Sequence, residues 1–201
     1  MFVLVLVGCA VFGAADQYVG SLTRFWAQAW QVPALSAPWL LLPFLVGRTQ
    51  RDLARAAILG GAGTLLALVA YGAMTISPIE HAAFTLGGFL AFARSNALWF
   101  FGAVVTGPLF GYLGHRWRVA RAPVAAVLVA GAVMVEPLVH GIHYPGVPVS
   151  IVPFGPVTVA ELACGLAMAA WFTWQRRRAA TSCLAPGTAT ATAAGRAAPR
   201  R

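Results

Sequence analysis

Lysine is absent from this chain of 201 residues; all 14 of its basic residues are arginine. Acidic residues are scarce too, only five in all, and charged residues make up 9% of the sequence against 60% hydrophobic. A soluble domain carries about 25% charged residues. So little charge excludes a water-soluble fold, whose surface would lack polar cover, whereas a surface facing hydrocarbon needs none. The net charge of +9 raises the question of nucleic acid. The arginines, however, form short clusters between hydrophobic runs rather than a stripe on a polar domain, which is a topology signal and excludes a nucleic-acid partner. Arginine without lysine, beside abundant alanine, fits the codon usage of a GC-rich bacterial genome.

Other absences narrow the chemistry. The three cysteines, Cys9, Cys164 and Cys183, have no CxxC spacing, so neither a zinc site nor a disulfide framework is expected. Leu6-Val7-Gly8-Cys9 has the form of a lipoprotein cleavage box but lacks a positively charged segment before it, unless the start codon lies further upstream. There is no Walker A loop, no GxSxG elbow and no GxGxxG fingerprint. Gly60-Gly61-Ala62-Gly63 lies inside a hydrophobic run, where a phosphate has no place. These gaps argue against an enzyme and against a cofactor, and no catalytic residue is assigned.

What is present is a series of apolar spans. The first runs from Met1 to about Leu22. The second, Leu35–Gly47, contains Pro38 and Pro43 and is about 13 residues long, short of the roughly 20 that a straight crossing needs. It is therefore expected to be kinked or re-entrant, or to begin earlier, near Phe25. The third covers about Ala54–Thr75. Ser77-Pro78-Ile79-Glu80 reads as the start of an interfacial helix reaching about Arg94, with Ser77 as the cap and Glu80 as its capping-box partner. The fourth span runs from Asn96 to about Leu113, the fifth from Ala122 to about Val139. The sixth follows a Pro/Gly-rich loop, Gly141–Pro156, and ends near Trp174. Residues 1–175 thus form a transmembrane domain, and 176–201 a disordered basic cytoplasmic tail. No internal repeat is visible.

Arginine placement orients this bundle. Arg48, Arg51 and Arg55 flank one turn, Arg116, Arg118 and Arg121 a second, and six more lie in the tail, leaving only Arg24 and Arg94 on the other side. The positive-inside bias makes the larger set cytoplasmic. The expected architecture is accordingly all-α: a polytopic bundle of six transmembrane helices in the bacterial plasma membrane, both termini cytoplasmic. Trp26, Trp30 and Trp39 then fall toward the outer interface and Trp117, Trp171 and Trp174 toward the inner, as belt residues do. Ala103, Gly107 and Gly111 share one face of the fourth span, and Ala56 and Gly60 one face of the third, which predicts close helix packing.

The blocks Gly13-Ala14-Ala15-Asp16-Gln17-Tyr18, Ser36-Ala37-Pro38-Trp39-Leu40, Ser77-Pro78-Ile79-Glu80, Gly107-Pro108-Leu109-Phe110-Gly111, Trp117-Arg118 and Glu136-Pro137 occur in this order. Together they resemble an uncharacterised family of actinobacterial multi-pass membrane proteins, over about residues 13 to 140. The resemblance implies membrane location and bacterial origin, and brings no catalytic or binding residue with it.

Polar residues at membrane depth carry whatever functional signal there is. With 1.5 Å of rise per residue, Glu136 lies ~21 Å and Glu161 ~21 Å from the inner ends of their spans, and Asp16 ~24 Å along the first. Glu80 sits at the outer boundary. Glu136, His140 and His143 are spaced i, i+4, i+7. Burying charge in hydrocarbon costs at least ~2.5–3.5 kcal/mol per group, so these groups face the bundle interior, a water-filled cavity or a partner such as Arg24 or Arg94. Three readings remain open. The acidic groups lock helices together in a structural or assembly protein without transport activity. Or Asp16, Glu136, Glu161 and His140 line an outward-facing vestibule for a small solute or cation, as in a transporter-like or substrate-capture protein working beside a separate energising subunit. Or Glu136, His140 and His143 ligate a metal for intramembrane hydrolysis.

Overall fold

The computed structural model describes residues 2–26, 29, 32, 35–140 and 156–183, with side chains described except at 36, 136–140, 156–158 and 179–183. Among these residues the chain is all-helical: α1 (Phe2–Ser21), α2 (Ser36–Thr49), α3 (Leu53–Thr75), α4 (Leu86–Ser95), α5 (Ala97–Ala120), α6 (Pro123–His140) and α7 (Pro156–Cys183). Three helices are long and apolar enough to cross a membrane, Phe2–Arg24 (α1 with the 3-10 turn that follows it), Leu53–Thr75 and Ala97–Ala120. The helix α2 has 14 residues with Pro43 inside, which makes it ~21 Å long against a hydrocarbon core of ~30 Å. Pro43 cannot donate to the carbonyl of Trp39, so the helix loses a rung there.

Small residues set the packing. The helix α3 is central, lying against α1, α2 and α5, and its buried residues include Ala56, Gly60, Gly61, Gly63, Thr64 and Ala67. A Cβ placed on Gly60 would stand 2.5 Å from the carbonyl oxygen of Gly107 and 2.9 Å from Cα of Gly111. Gly111 in turn meets the backbone of Ala56, while Gly47 of α2 abuts the Gly111 carbonyl. Three backbones therefore converge at Gly111. In lipid no hydrophobic force separates helix–helix from helix–lipid contact, so this close approach, with its dispersion and backbone contacts, is what holds the helices together. Cys9 lies against Gly63 and Gly13 against Ala67, so α1 and α3 run parallel; Ala56 against Gly111 and Gly61 against Gly107 make α3 and α5 antiparallel. Toward the other side, Phe44, Phe110, Leu113, Trp117, Val129 and Phe172 form a buried cluster that ties α2 and α5 to α6 and α7.

Several boundaries differ from the sequence expectation. Ser77 does not cap a helix. Pro78–Glu80 is a single 3-10 turn, Ser77 makes no side-chain cap bond, and its hydroxyl instead contacts Met74 Sδ at 3.7 Å. His81, with φ of 59°, turns the chain out of helical register. The cap of α4 is Thr85, whose Oγ1 accepts from Gly88 N at 3.0 Å. The helix α7 continues beyond Trp174 through Arg176, Arg177 and Arg178 to Cys183, which moves the start of the tail from residue 176; alanine and arginine are among the best helix formers. Trp39 and Trp117 are not belt residues: Trp117 is fully buried, and Trp39 packs edge-on against Phe12 and Tyr71.

Candidate functional site

The C-terminal half of α1, the N-terminal ends of α2 and α5 and the C-terminal end of α3 gather at one end of the bundle, opposite the arginine clusters at the ends of α2 and α5. The ring of Trp39 brings them together. Phe12 of α1 meets it at a centroid distance of 5.4 Å and Tyr71 of α3 at 5.9 Å. Its indole N–H donates to Asp16 Oδ2 at 3.1 Å. Asp16 is 7% exposed, so this bond satisfies a carboxylate that would otherwise be costly at this depth. Tyr71 continues the aromatic run to Phe92 of α4.

Behind this run lies a cavity of about 370 Å³ between α2, α3 and α5, within the ~300–1,000 Å³ range of small-molecule sites. Trp39, Tyr71 and Trp99 supply aromatic walls, with Trp99 51% exposed at its rim. The remaining wall is apolar except for Thr64, Asn96 and Thr106. Both threonine hydroxyls and one amide hydrogen of Asn96 are committed elsewhere. Thr64 Oγ1 donates to Gly60 O at 2.8 Å, Thr106 Oγ1 to Gly102 O at 2.8 Å, and Asn96 Nδ2 to Phe92 O at 2.9 Å. Each keeps acceptor capacity on the oxygen: hydroxyl lone pairs on the threonines and the amide carbonyl of Asn96. With Trp39 Nε1 committed to Asp16, the wall presents aromatic faces and acceptor oxygens, beside the Tyr71 hydroxyl, the Trp99 indole N–H and the second amide hydrogen of Asn96.

Asp16 and Glu80 both lie close enough to Tyr71 to act on its hydroxyl electrostatically, and Glu80 Oε1 is buried with no hydrogen-bond partner among the described residues. The two arginines of this end, Arg24 and Arg94, are exposed.

The sequence-derived candidates are distributed unevenly around this cavity. Asp16 stands one residue behind it, holding Trp39, and is not in its wall. Glu161 is 6% exposed on α7, which packs on α6, and also lies outside the wall. The backbones of Glu136 and His140 belong to α6, but their side chains lie outside the described set, as does all of His143. Ala103 lines the cavity, while Gly107 and Gly111, one and two turns on, form the contact with α3. Sequence reasoning missed Tyr71, Asn96, Trp99, Thr64 and Thr106. Nothing in their spacing sets Tyr71 and Trp99 apart from the other aromatic residues of the spans, and a threonine whose proton goes to its own helix leaves no mark in a sequence.

The chain has no significant match among curated proteins or solved structures. A family model matches it over residues 1–200, nearly its whole length. The chain therefore belongs to the family of unknown function DUF6518.

Proposed function

We propose that this protein is a multi-pass membrane protein of six spans, both ends cytoplasmic, that captures or passes a small organic cation through a cavity on its outer half. The alternation in helix direction, the clustering of arginine at one end and the positive-inside bias support the topology. The observation that carries the functional reading is the chemistry of the cavity wall. Its threonines have given their hydroxyl protons, and its asparagine one amide hydrogen, to backbone carbonyls, and the Trp39 indole N–H is held by a carboxylate, which leaves acceptor oxygens facing aromatic rings. An ammonium group donates to these acceptor oxygens, and an apolar body fits the rest of the wall. Aromatic faces attract cations by ~0.5–2 kcal/mol, and the carboxylates of Asp16 and Glu80 reinforce that sign.

In this reading Asp16 is a positioning residue, and the carboxylate pair expected from the sequence is replaced by an aromatic and acceptor-lined site. No nucleotide-binding loop is present, so any energy for uptake comes from a gradient or from a separate membrane partner. The test is thermal stabilisation of the purified full chain by benzylammonium, benzyl alcohol and benzoate. The ammonium ion is expected to stabilise at concentrations where the neutral and anionic isosteres do not. Equal stabilisation by all three, or by none, refutes it.

A further inference from the structure

The opposite end of the bundle holds a second arrangement that solute capture does not use. Arg48, in the last turn of α2, is half-buried, with its guanidinium 4.9 Å from the ring centroid of Trp171 on α7. Arg121, just after α5, is half-buried as well. It donates to Gln175 Oε1 at 2.8 Å and lies 5.6 Å from the ring of Trp117. The two rings flank Phe172, at 4.6 Å for Trp117 and 5.5 Å for Trp171. Both guanidinium groups thus rest on one aromatic patch, built of Trp117, Trp171 and Phe172. No carboxylate among the described residues pairs with either. The acid of this end, Asp52, has Oδ1 engaged in capping α3 at Arg55 N.

The backbone adds an independent sign. Arg121 is the C-cap of α5 and has φ of 48°, ψ of 39°. This left-handed conformation belongs to glycine at helix C-termini. A side chain kept there at a steric cost brings a second cation onto the aromatic patch that carries Arg48. Two partly desolvated like charges call for an anion from outside. Their setting, at the arginine-rich ends of the helices and over Trp171, which is 40% exposed, is headgroup level.

We propose that Arg48 and Arg121 form a seat for the phosphate of an anionic phospholipid of the cytoplasmic leaflet, with Gln175 holding Arg121 in place. A planar guanidinium presents paired donors to phosphate oxygens, and basic pockets between helices on this side are suited to lipid headgroups.

The experiment uses the purified full chain in neutral detergent, titrated with phosphatidylglycerol, phosphatidylcholine or inorganic phosphate, following thermal stability and bound lipid by native mass spectrometry. Phosphatidylglycerol is expected to bind and stabilise. Arg48→Gln and Arg121→Gln should each weaken its apparent affinity about fivefold, whereas Arg51→Gln, on the exposed turn, should change it less than twofold. Arg121→Gly is the second variant. It removes the backbone strain, so its stability without lipid should hold or rise while the lipid effect falls. Unchanged phosphatidylglycerol binding in an Arg48→Gln/Arg121→Gln double variant overturns the proposal. Saturation by inorganic phosphate at the same concentrations overturns its assignment to lipid, and equal binding of phosphatidylcholine overturns the charge argument.

Discussion

Replacing Gly102 by phenylalanine tests the cavity with opposite signs for stability and binding. Gly102 lines the cavity, and a Cβ built on it meets no atom within 4 Å. The new side chain therefore enters open space. A benzene-sized void is about 150 Å³, so the ring should reduce the cavity from about 370 Å³ to roughly 220 Å³, below the ~300 Å³ lower range of ligand sites. Removing an interior helix glycine contributes about 0.5–1 kcal/mol, and filling apolar space adds to that. Stability without ligand should hold or rise. Ligand at a hundred times its Kd stabilises the native protein of the unmodified sequence by ~2.7 kcal/mol, or about 5–10 °C in Tm for a chain of this size. That shift should vanish in Gly102→Phe and persist in Gly102→Ala. The assay is thermal unfolding in detergent with and without benzylammonium. A full ligand-dependent shift in Gly102→Phe refutes the cavity as the site. A fall in ligand-free stability by more than about 1 kcal/mol refutes the claim that the space is open.

Other perturbations separate positioning from packing. Asp16→Asn keeps an acceptor for Trp39 Nε1 and should leave stability nearly unchanged while weakening cation binding; Asp16→Ala strands the indole N–H and should cost ~1–3 kcal/mol in thermal unfolding. Equal losses in both would show that the charge itself holds the fold. Gly60→Leu collides with the backbone of Gly107 and Gly111 and should cost more than ~3 kcal/mol, whereas Gly87→Leu, which meets nothing, should be tolerated; similar expression and melting of the two would refute the backbone-contact account of α3–α5 packing. For topology, a cysteine at position 87 is expected to react with an impermeant maleimide from outside intact cells and one at position 51 only after permeabilisation; the reverse pattern overturns the orientation.

Apolar length is a local property, and most of the helices follow from it. The runs that became α1, α3 and α5 can be read from residue type alone because a span needs only enough consecutive apolar residues. The shortness of α2 and its Pro43 are equally local. Capping was less legible. The Ser77–Glu80 pattern is a capping-box spelling, yet the helix begins at Leu86 behind Thr85, because the left-handed His81 ends the first turn after three residues. The extent of α7 was underestimated because the arginines that mark a membrane boundary do not also mark the end of a helix.

The sequence by itself determined that the chain is helical, that several of its helices are long and apolar enough to cross a membrane, and that its arginines cluster between the apolar runs. Each follows from composition and spacing along a single helix. Tertiary structure alone decided which polar groups matter. Trp39 finds Asp16 across two helices, and the cavity takes its walls from three. Arg48 and Arg121 come to one aromatic patch only because the C-terminal ends of α2 and α5 lie against Trp171 and Phe172 of α7. No spacing rule encodes these pairings: they depend on how closely the glycines at positions 47, 60, 107 and 111 let the backbones approach, and that distance is set by packing in three dimensions.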